Sequence, residues 1–193
     1  NLGTCYKQLG KLDESKNYYS KVLEIDPKHT NAHYNLGIIY YELKDFKKAK
    51  SYLKKTTELQ KNYGIAFFSL GNVHADLKEY NEAMSCYLKA IEINPRIVGA
   101  HNNLGLIYRT MNDHESAVKS YLEAIKLESK HGGAYHNLAL AYKELGKFDQ
   151  SIVAHQKAIE YEPENLAHNY YLSELKKDTL NQDLKNKIQK VFS

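Results

Sequence analysis

One column of polar side chains recurs along this chain at a spacing of 34 residues. It consists of Asn35, Asn103 and Asn137, with Ser69 at the intervening position. An asparagine amide donates and accepts hydrogen bonds just as a peptide bond does. A row of such amides can therefore hold another polypeptide by its backbone without reading its sequence. The chemistry that this spacing indicates is recognition, not the making or breaking of bonds.

This set of four residues, called the amide column below, has a spacing that suits a peptide ligand. With neighbouring helices roughly 10 Å apart, one asparagine per unit would meet an extended peptide about every three residues. The alternative is that asparagine is merely tolerated on an exposed helix face. Because asparagine is a mediocre helix former, three in register favour the first interpretation.

Other residues that could do chemistry do not form a catalytic pattern. Gly10 and Gly146 are each followed by lysine but lack the upstream glycine and the hydroxyl residue of a phosphate-binding loop. No nucleophile elbow, zinc-protease helix or dinucleotide fingerprint occurs. His29 and His33 are four residues apart, but no cysteine or carboxylate joins them at a metal-binding spacing. We therefore predict that this chain alone is not an enzyme, and that it has no catalytic residues, metal or other cofactor.

Composition narrows the class of protein further. The chain has 27 basic and 23 acidic residues, and this scattered net charge of +4 predicts a solvated surface that does not bind nucleic acid. No run of 18 apolar residues occurs, so we expect no membrane partner. Two cysteines, Cys5 and Cys86, are too few for a disulfide framework, which favours a cytoplasmic location.

The elements that carry the amide column follow a strict internal repeat. A Leu-Gly pair, or its Leu-Ala or Leu-Ser variant, begins at Leu2, Leu36, Leu70, Leu104, Leu138 and Leu172. A fixed period of 34 residues predicts a solenoid of identical units, each packed on its neighbours. We predict a single array over 1–193, divided into a partial repeat at 1–29, full repeats at 30–63, 64–97, 98–131 and 132–165, and a degenerate repeat or cap at 166–193.

Within each unit, the sequence pattern predicts two helices joined by a short break. Apolar residues between 31 and 43 recur at spacings of three and four, which is one face of a helix. Polar residues that suit the start of a second helix follow at Asp13, Asp45, Asn81, Asp113 and Asp149. The second helix pairs a small residue with a bulky one four positions later, as in Ala83 and Tyr87. Prolines 27, 95 and 163 close three units, whereas Lys61 and Ser129 stand in the other two.

This pattern resembles the tetratricopeptide repeat (TPR), in which Leu-Gly-x-x-Tyr is followed by Ala-x-x-x-Phe and a proline. The resemblance covers residues 1 to about 165. It implies an all-α fold, a right-handed superhelical solenoid of helix-turn-helix hairpins, with a capping helix pair at the C-terminal end. The amide column looks most like that of the TPR arm of O-linked N-acetylglucosamine transferases and related scaffold proteins.

The resemblance also implies where a partner binds. In TPR arrays the first helices of the hairpins line a concave face that commonly holds a peptide. The residues expected to contact it are Asn35, Ser69, Asn103, Asn137, Tyr34, Phe68, Asn72, Asn102, His136, Tyr41, Arg109 and Lys143. The amide column would hold the peptide backbone and the aromatic and charged members would supply selectivity. Gly99 and Gly133 would widen the groove.

The same columns argue against one class of TPR partner. Chaperone-binding TPR domains grip an acidic carboxy-terminal tail with lysine and arginine. The matching positions here are Phe68, Asn72, Asn103, Gly133 and Asn137, none of them a cation. Two carboxylates would lose their hydration there without gaining an opposite charge. We therefore expect a protein or peptide partner that is not a chaperone tail.

These observations leave two functions open. We predict a protein-interaction module, with a scaffold or adaptor role, that binds an extended or helical segment of a partner in the concave groove. The alternative is the substrate-recognition arm of a larger enzyme, such as a glycosyltransferase, whose catalytic domain is outside this chain. Because the chain opens at Asn1, within a repeat and without an initiating methionine, we expect it to be part of a longer protein or complex.

Overall fold

A computed structural model describes residues 2–165, 169–174 and 176–177 of the chain. Ten α-helices and no strand lie between Leu2 and Tyr161, so the all-α prediction is confirmed. The helices are α1 (Leu2–Gln8), α2 (Leu12–Ile25), α3 (Thr30–Glu42), α4 (Phe46–Leu59), α5 (Gly64–Asp76), α6 (Tyr80–Ile93), α7 (Val98–Thr110), α8 (His114–Leu127), α9 (Gly132–Glu144) and α10 (Phe148–Tyr161). The predicted cap at 166–193 lies largely outside the described residues. The residues of the cap that are described, 169–174 and 176–177, are helical.

The helices alternate between two lengths and pair as hairpins. The first helix of each complete hairpin has 13 residues and the second has 14. First helices begin at residues 30, 64, 98 and 132, at a constant spacing of 34 residues. The chain divides into two compact units, Asn1–Ala100 (unit 1) and His101–Ser193 (unit 2), which we describe separately. That all 193 residues form a single array stays a prediction.

Each hairpin closes where the glycine of the Leu-Gly pair meets a bulky side chain of the second helix. A Cβ atom on Gly71 would lie 2.6 Å from Cε1 of Tyr87 in unit 1, and one on Gly105 would lie 2.6 Å from Cε1 of Tyr121 in unit 2. Tyr87 and Tyr121 are almost completely buried. The glycines are therefore present because the tyrosine ring packs against the helix backbone, where even a methyl group would clash.

The last complete hairpin satisfies the same packing with different residues. Ala139 takes the glycine position and His155, with a smaller ring, takes the tyrosine position. Ser151 occupies the small-residue column of the second helix, and its hydroxyl donates to the carbonyl of Ala139 at 2.7 Å. In the first hairpin the Ser15 hydroxyl donates to the carbonyl of Gly3 at 2.8 Å. The serines in this otherwise alanine column therefore join the two helices by a buried hydrogen bond.

The break between the two helices of each hairpin contains one residue in the left-handed region. These residues are Gly10, Lys44, Lys78, Asn112 and Gly146, with φ from 59° to 72°. In the α3–α4 hairpin the N–H of Lys44 donates to Tyr41 O and that of Asp45 to Tyr40 O, both at 2.9 Å. This pair of backbone hydrogen bonds is the Schellman motif, which ends a helix and satisfies its last carbonyl groups.

The left-handed residue fixes where the second helix begins. The next residue is the N-cap in each hairpin, and the carboxylates of Asp45 and Asp113 there accept from backbone N–H groups three residues later, both at 3.1 Å. The predicted starters Asp13, Asn81 and Asp149 lie inside the first turn instead. The prediction grouped N-cap residues with residues of the first helical turn, because an acidic or amide side chain suits both positions.

Candidate functional site

The amide column of unit 1 lies on α3 and α5, and both of its side chains bond to their own helix. Asn35 donates through Nδ2 to the carbonyl of Asn31 at 2.7 Å. The Ser69 hydroxyl donates to the carbonyl of Ile65 at 2.9 Å, and the residue is only 7% exposed. Ser69 is therefore not presented to solvent as the predicted contact requires, whereas Asn35 is half-buried.

The amide column of unit 2 is arranged differently. Asn137 on α9 donates through Nδ2 to Oδ1 of Asn102 on α7 at 3.1 Å, and Asn102 donates through its own Nδ2 to Oδ1 of Asn103 at 3.1 Å. All three residues are half-buried. Three predicted contact residues thus form one connected group, called the amide chain below. The orientation of each amide is fixed because nitrogen donates and oxygen accepts along it.

Two predicted aromatic contacts of unit 1 also pack inside the protein. The ring of Tyr34 lies 5.2 Å from that of Tyr63, and the ring of Phe68 lies 6.0 Å from that of Tyr87. A Cβ atom on Gly99 would lie 2.9 Å from Cζ of Phe68. The expectation that Gly99 widens a groove is therefore wrong, because Phe68 fills the space that the missing side chain leaves.

Tyr41 and Asn72, also in unit 1, are held by polar partners. Burial raises the pKa of the Tyr41 hydroxyl to about 12, and its hydrogen bond to the Asp76 carboxylate adds to the shift. The Tyr41 ring also lies 5.8 Å from that of Phe46. Oδ1 of Asn72 accepts from the hydroxyl of Tyr87 at 2.8 Å. Through these contacts Tyr41 and Asn72 stabilise the packing of unit 1, and both remain candidates for binding.

His136 and Gly133, in unit 2, contact the C-terminal part of the described chain. The His136 ring lies 5.3 Å from that of His155 and 5.1 Å from that of Tyr171. The N–H of Gly133 donates to the carboxylate of Glu162 at 2.8 Å, at the positive end of α9. A Cβ atom on Gly133 would lie 3.4 Å or more from its nearest neighbours, so the expectation that Gly133 widens a groove stays a prediction.

The charged members of the predicted set lie at the C-terminal ends of α7 and α9. Nη1 of Arg109 lies 3.4 Å from one oxygen of Glu144, and Nδ1 of His114 lies 3.0 Å from the other. Burial raises the pKa of the nearby Tyr121 hydroxyl, and Arg109 partly offsets that shift. Arg109 is therefore matched by Glu144, which lies 35 residues further along the chain, a partnership that sequence analysis missed. Lys143 is half-buried beside Glu144 in sequence.

The part of the chain that the structure describes lacks two further classes of site. It contains no group of three or more histidine, cysteine, aspartate or glutamate residues that could hold a metal ion. None of its described helices combines the length and the apolar character that crossing a lipid bilayer requires.

Comparison with known families identifies the repeats. Models described as tetratricopeptide repeat match residues 1–62 and 133–165, and one described as TPR repeat matches 71–112 and 105–146. The chain therefore belongs to the TPR superfamily. No curated protein sequence gives a significant match.

Solved structures agree with this assignment. MamA is 28% identical, with 86% of this chain and 98% of that chain covered and a TM-score of 0.78. YrrB, described as a TPR protein with an unusual peptide-binding site, is 21% identical over 88% of this chain and 87% of its own, with a TM-score of 0.75. PilF of Pseudomonas aeruginosa is 21% identical, covers 94% and 83%, and has a TM-score of 0.83. At such identities the last two show the fold alone.

Family and fold together define the class of protein. A TPR fold implies protein or peptide partners.

Proposed function

We propose that this chain is a protein-interaction module with a scaffold or adaptor role, which binds an extended or helical segment of a partner on the first-helix side of its hairpins. The observation that carries the proposal is the amide chain of unit 2, Asn137–Asn102–Asn103. Peptide recognition by the TPR protein YrrB is consistent with it.

The hydrogen-bonding inventory of the amide chain supports backbone recognition. An amide nitrogen carries two hydrogens, and Asn102 and Asn137 each spend one on the chain. Each therefore retains a second N–H that can donate to a peptide carbonyl. The bonds within the chain hold the amides in place, so less side-chain entropy is lost when a peptide binds.

Selectivity in unit 2 would come from the other predicted contacts on the same two helices. Lys143 and Arg109 flank the C-terminal ends of α9 and α7, and Glu144 already neutralises Arg109. A partner carboxylate would have to compete with Glu144 for Arg109. We assign the backbone contacts to the amide chain, and Lys143 and Arg109 remain proposed contacts for selectivity. In unit 1, Asn35, Tyr34 and Phe68 remain proposed contacts, whereas Ser69 is omitted because it is buried.

The proposal is tested with peptides selected from a display library on the wild-type chain. The double variant Asn103→Ala/Asn137→Ala should bind the selected peptides about tenfold more weakly in calorimetric titration. It removes the Asn137 donor and the Asn103 oxygen that holds the Asn102 amide in place, at about 0.5–1.5 kcal/mol for each hydrogen bond lost. Its helicity by circular dichroism should not change. Asn17→Ala/Asn81→Ala, at two exposed helical positions, is the matched control and should bind as the wild type does. Equal affinity for both double variants would contradict the proposal.

The alternative function, a substrate-recognition arm, uses the same surface for a different purpose. It is favoured by the likeness of the amide column to that of the O-linked N-acetylglucosamine transferase arm. The discriminating observation is the full open reading frame. A glycosyltransferase domain in the same frame would support the alternative, and a frame made only of repeats would support the adaptor role.

A further inference from the structure

A separate cavity opens among α4, α5 and α6 in unit 1. It has a volume of about 670 Å³, within the range of ligand-binding pockets. Its lining includes Lys54 and Lys61 from α4 and the following turn, and Phe67 and Leu70 from α5. None of the predicted peptide-contact residues lines it. The cavity therefore belongs to a surface distinct from the amide column.

The floor and the rim of this cavity differ in character. Phe67 is half-buried and Leu70 is 6% exposed, so an apolar side chain placed on them would leave water. Lys54 and Lys61 are exposed at the rim. The cavity therefore offers a hydrophobic contact surrounded by positive charge, a combination that suits an anionic ligand with an apolar group.

The positive charge of the chain is concentrated beside this cavity. Helix α4 carries five lysines and a single glutamate, a formal charge of +4, and the net charge of the whole chain is also +4. The balance of charges over the rest of the sequence is therefore near zero. Net charge alone, which predicted a scattered and solvated surface, did not reveal this concentration.

Of the lysines that line the cavity, some are paired with carboxylates and others are not. Lys50 lies 2.8 Å from the Glu79 carboxylate, which also contacts His74, and Lys50 and then His74 hold the pKa of Glu79 below its usual range. Lys89 pairs with Glu92 at 2.8 Å. Among the described residues, Lys54 and Lys61 make no ion pair. These two are the cations available to a ligand.

We propose that this cavity docks an acidic segment of a partner protein, with one aromatic or branched apolar side chain in the cavity and carboxylates on Lys54 and Lys61. Two smaller cavities, of about 480 and 470 Å³, share lining residues with it on either side. The 480 Å³ cavity shares Phe67, and the 470 Å³ cavity shares Lys54. The row of three depressions fits an extended chain with a residue in each.

The distribution of carboxylates favours a peptide over a nucleic acid. Glu58 and Glu92 line the same row of depressions. A nucleic acid carries a charge at every phosphate, so some phosphates would lie against these glutamates. A peptide can place its carboxylates at the two lysines and uncharged residues opposite the glutamates. The surface therefore selects a pattern of charge as well as its sign.

The proposal is tested by fluorescence anisotropy with the full chain and a labelled probe peptide that has one phenylalanine between two Asp-Glu pairs. The variant Lys54→Glu/Lys61→Glu should bind the probe at least tenfold more weakly. Lys21→Glu/Lys28→Glu makes the same change of charge at exposed sites that line none of these cavities and should retain most of the affinity. Replacing the phenylalanine of the probe by glycine should also weaken binding at least tenfold.

Several outcomes would overturn this proposal. Equal losses in the two charge variants, no loss when phenylalanine is removed, or tighter binding of an oligothymidylate of equal charge would each do so. Chemical-shift changes at the backbone amides of Thr57, Phe67 and Leu70 on adding the probe would support it and do not depend on a variant. Asn103→Ala/Asn137→Ala should bind the probe normally, so failure at the amide chain and failure at the cavity are distinguished.

Discussion

Cys86 illustrates how the hairpin core alters the chemistry of one residue. Burial raises the pKa of its thiol to about 11, and the carboxylate of Glu82 adds to the effect. Cys5, in contrast, is exposed on α1. Since the thiolate is the nucleophile, the two cysteines should differ in reactivity.

We expect a maleimide to label Cys5 rapidly at about pH 8 and Cys86 hundreds of times more slowly. A thiol with a pKa of about 11 is ionised in roughly one molecule in a thousand at that pH, and the ionised fraction rises about tenfold per pH unit until it approaches the pKa. Mass spectrometry of tryptic peptides measures both rates. Cys5→Ser should leave only the slow reaction, and equal rates at the two positions would contradict the prediction.

The amide column shows what sequence reasoning can say of single residues. The residue types and their spacing were sufficient to select Asn103 and Asn137. The bonds were not predictable, because they depend on neighbours outside the column: Asn35 reaches the carbonyl of Asn31, whereas Asn137 reaches Asn102. Equivalent positions in a repeat share a backbone but not the side chains around them.

At the scale of elements, the local signals located the helices but not the reasons for their contacts. The spacing of small and bulky residues predicted two close-packed helices, and the structure bears this out. That glycine is required because a tyrosine ring lies on the helix backbone follows only from the geometry at Gly105 and Tyr121. In the last hairpin, Ala139 replaces the glycine and His155 replaces the tyrosine, so the added methyl group is matched by a smaller ring.

This exchange can be tested by a double-mutant cycle in unit 2. Gly105→Ala should lower the free energy of unfolding by about 1–3 kcal/mol, since the new methyl group meets the Tyr121 ring. Adding Tyr121→His, which recreates the Ala139–His155 pair, should recover at least about 1 kcal/mol of the sum of the single effects. Urea unfolding followed by circular dichroism measures all four corners. Strict additivity would show that the ring and the methyl group do not meet.

At the scale of the whole molecule, the 34-residue period predicted more than any single motif. It predicted a two-helix unit repeated along the chain, and the first helices of the complete hairpins begin at residues 30, 64, 98 and 132. It did not predict the concentration of charge on α4, since a period describes what the repeats share and α4 is where one repeat differs. The binding surfaces proposed for this chain both depend on such differences.

The period also extends to backbone conformation. Positions 10, 44, 78, 112 and 146 all have positive φ, but only two of them are glycine. A side chain with a Cβ atom adopts this conformation at a cost of roughly 1–2 kcal/mol, and asparagine at a smaller one. Lys44 and Lys78 therefore hold strain that the fold repeats and that their neighbours in the packed core must offset.

Lys44→Gly and Lys78→Gly should each raise the free energy of unfolding by about 0.5–1 kcal/mol, the relief of strain being partly offset by the greater freedom of glycine in the unfolded chain. Asn112→Gly should change it little. Gly146→Ala should lower it by about 1 kcal/mol through conformation alone, because no atom lies within 4 Å of the added Cβ. Since Lys44 and Lys78 lie in different hairpins, the double glycine variant should gain the sum of the two effects in urea unfolding. A double variant no more stable than the wild type would mean that the turns are not strained.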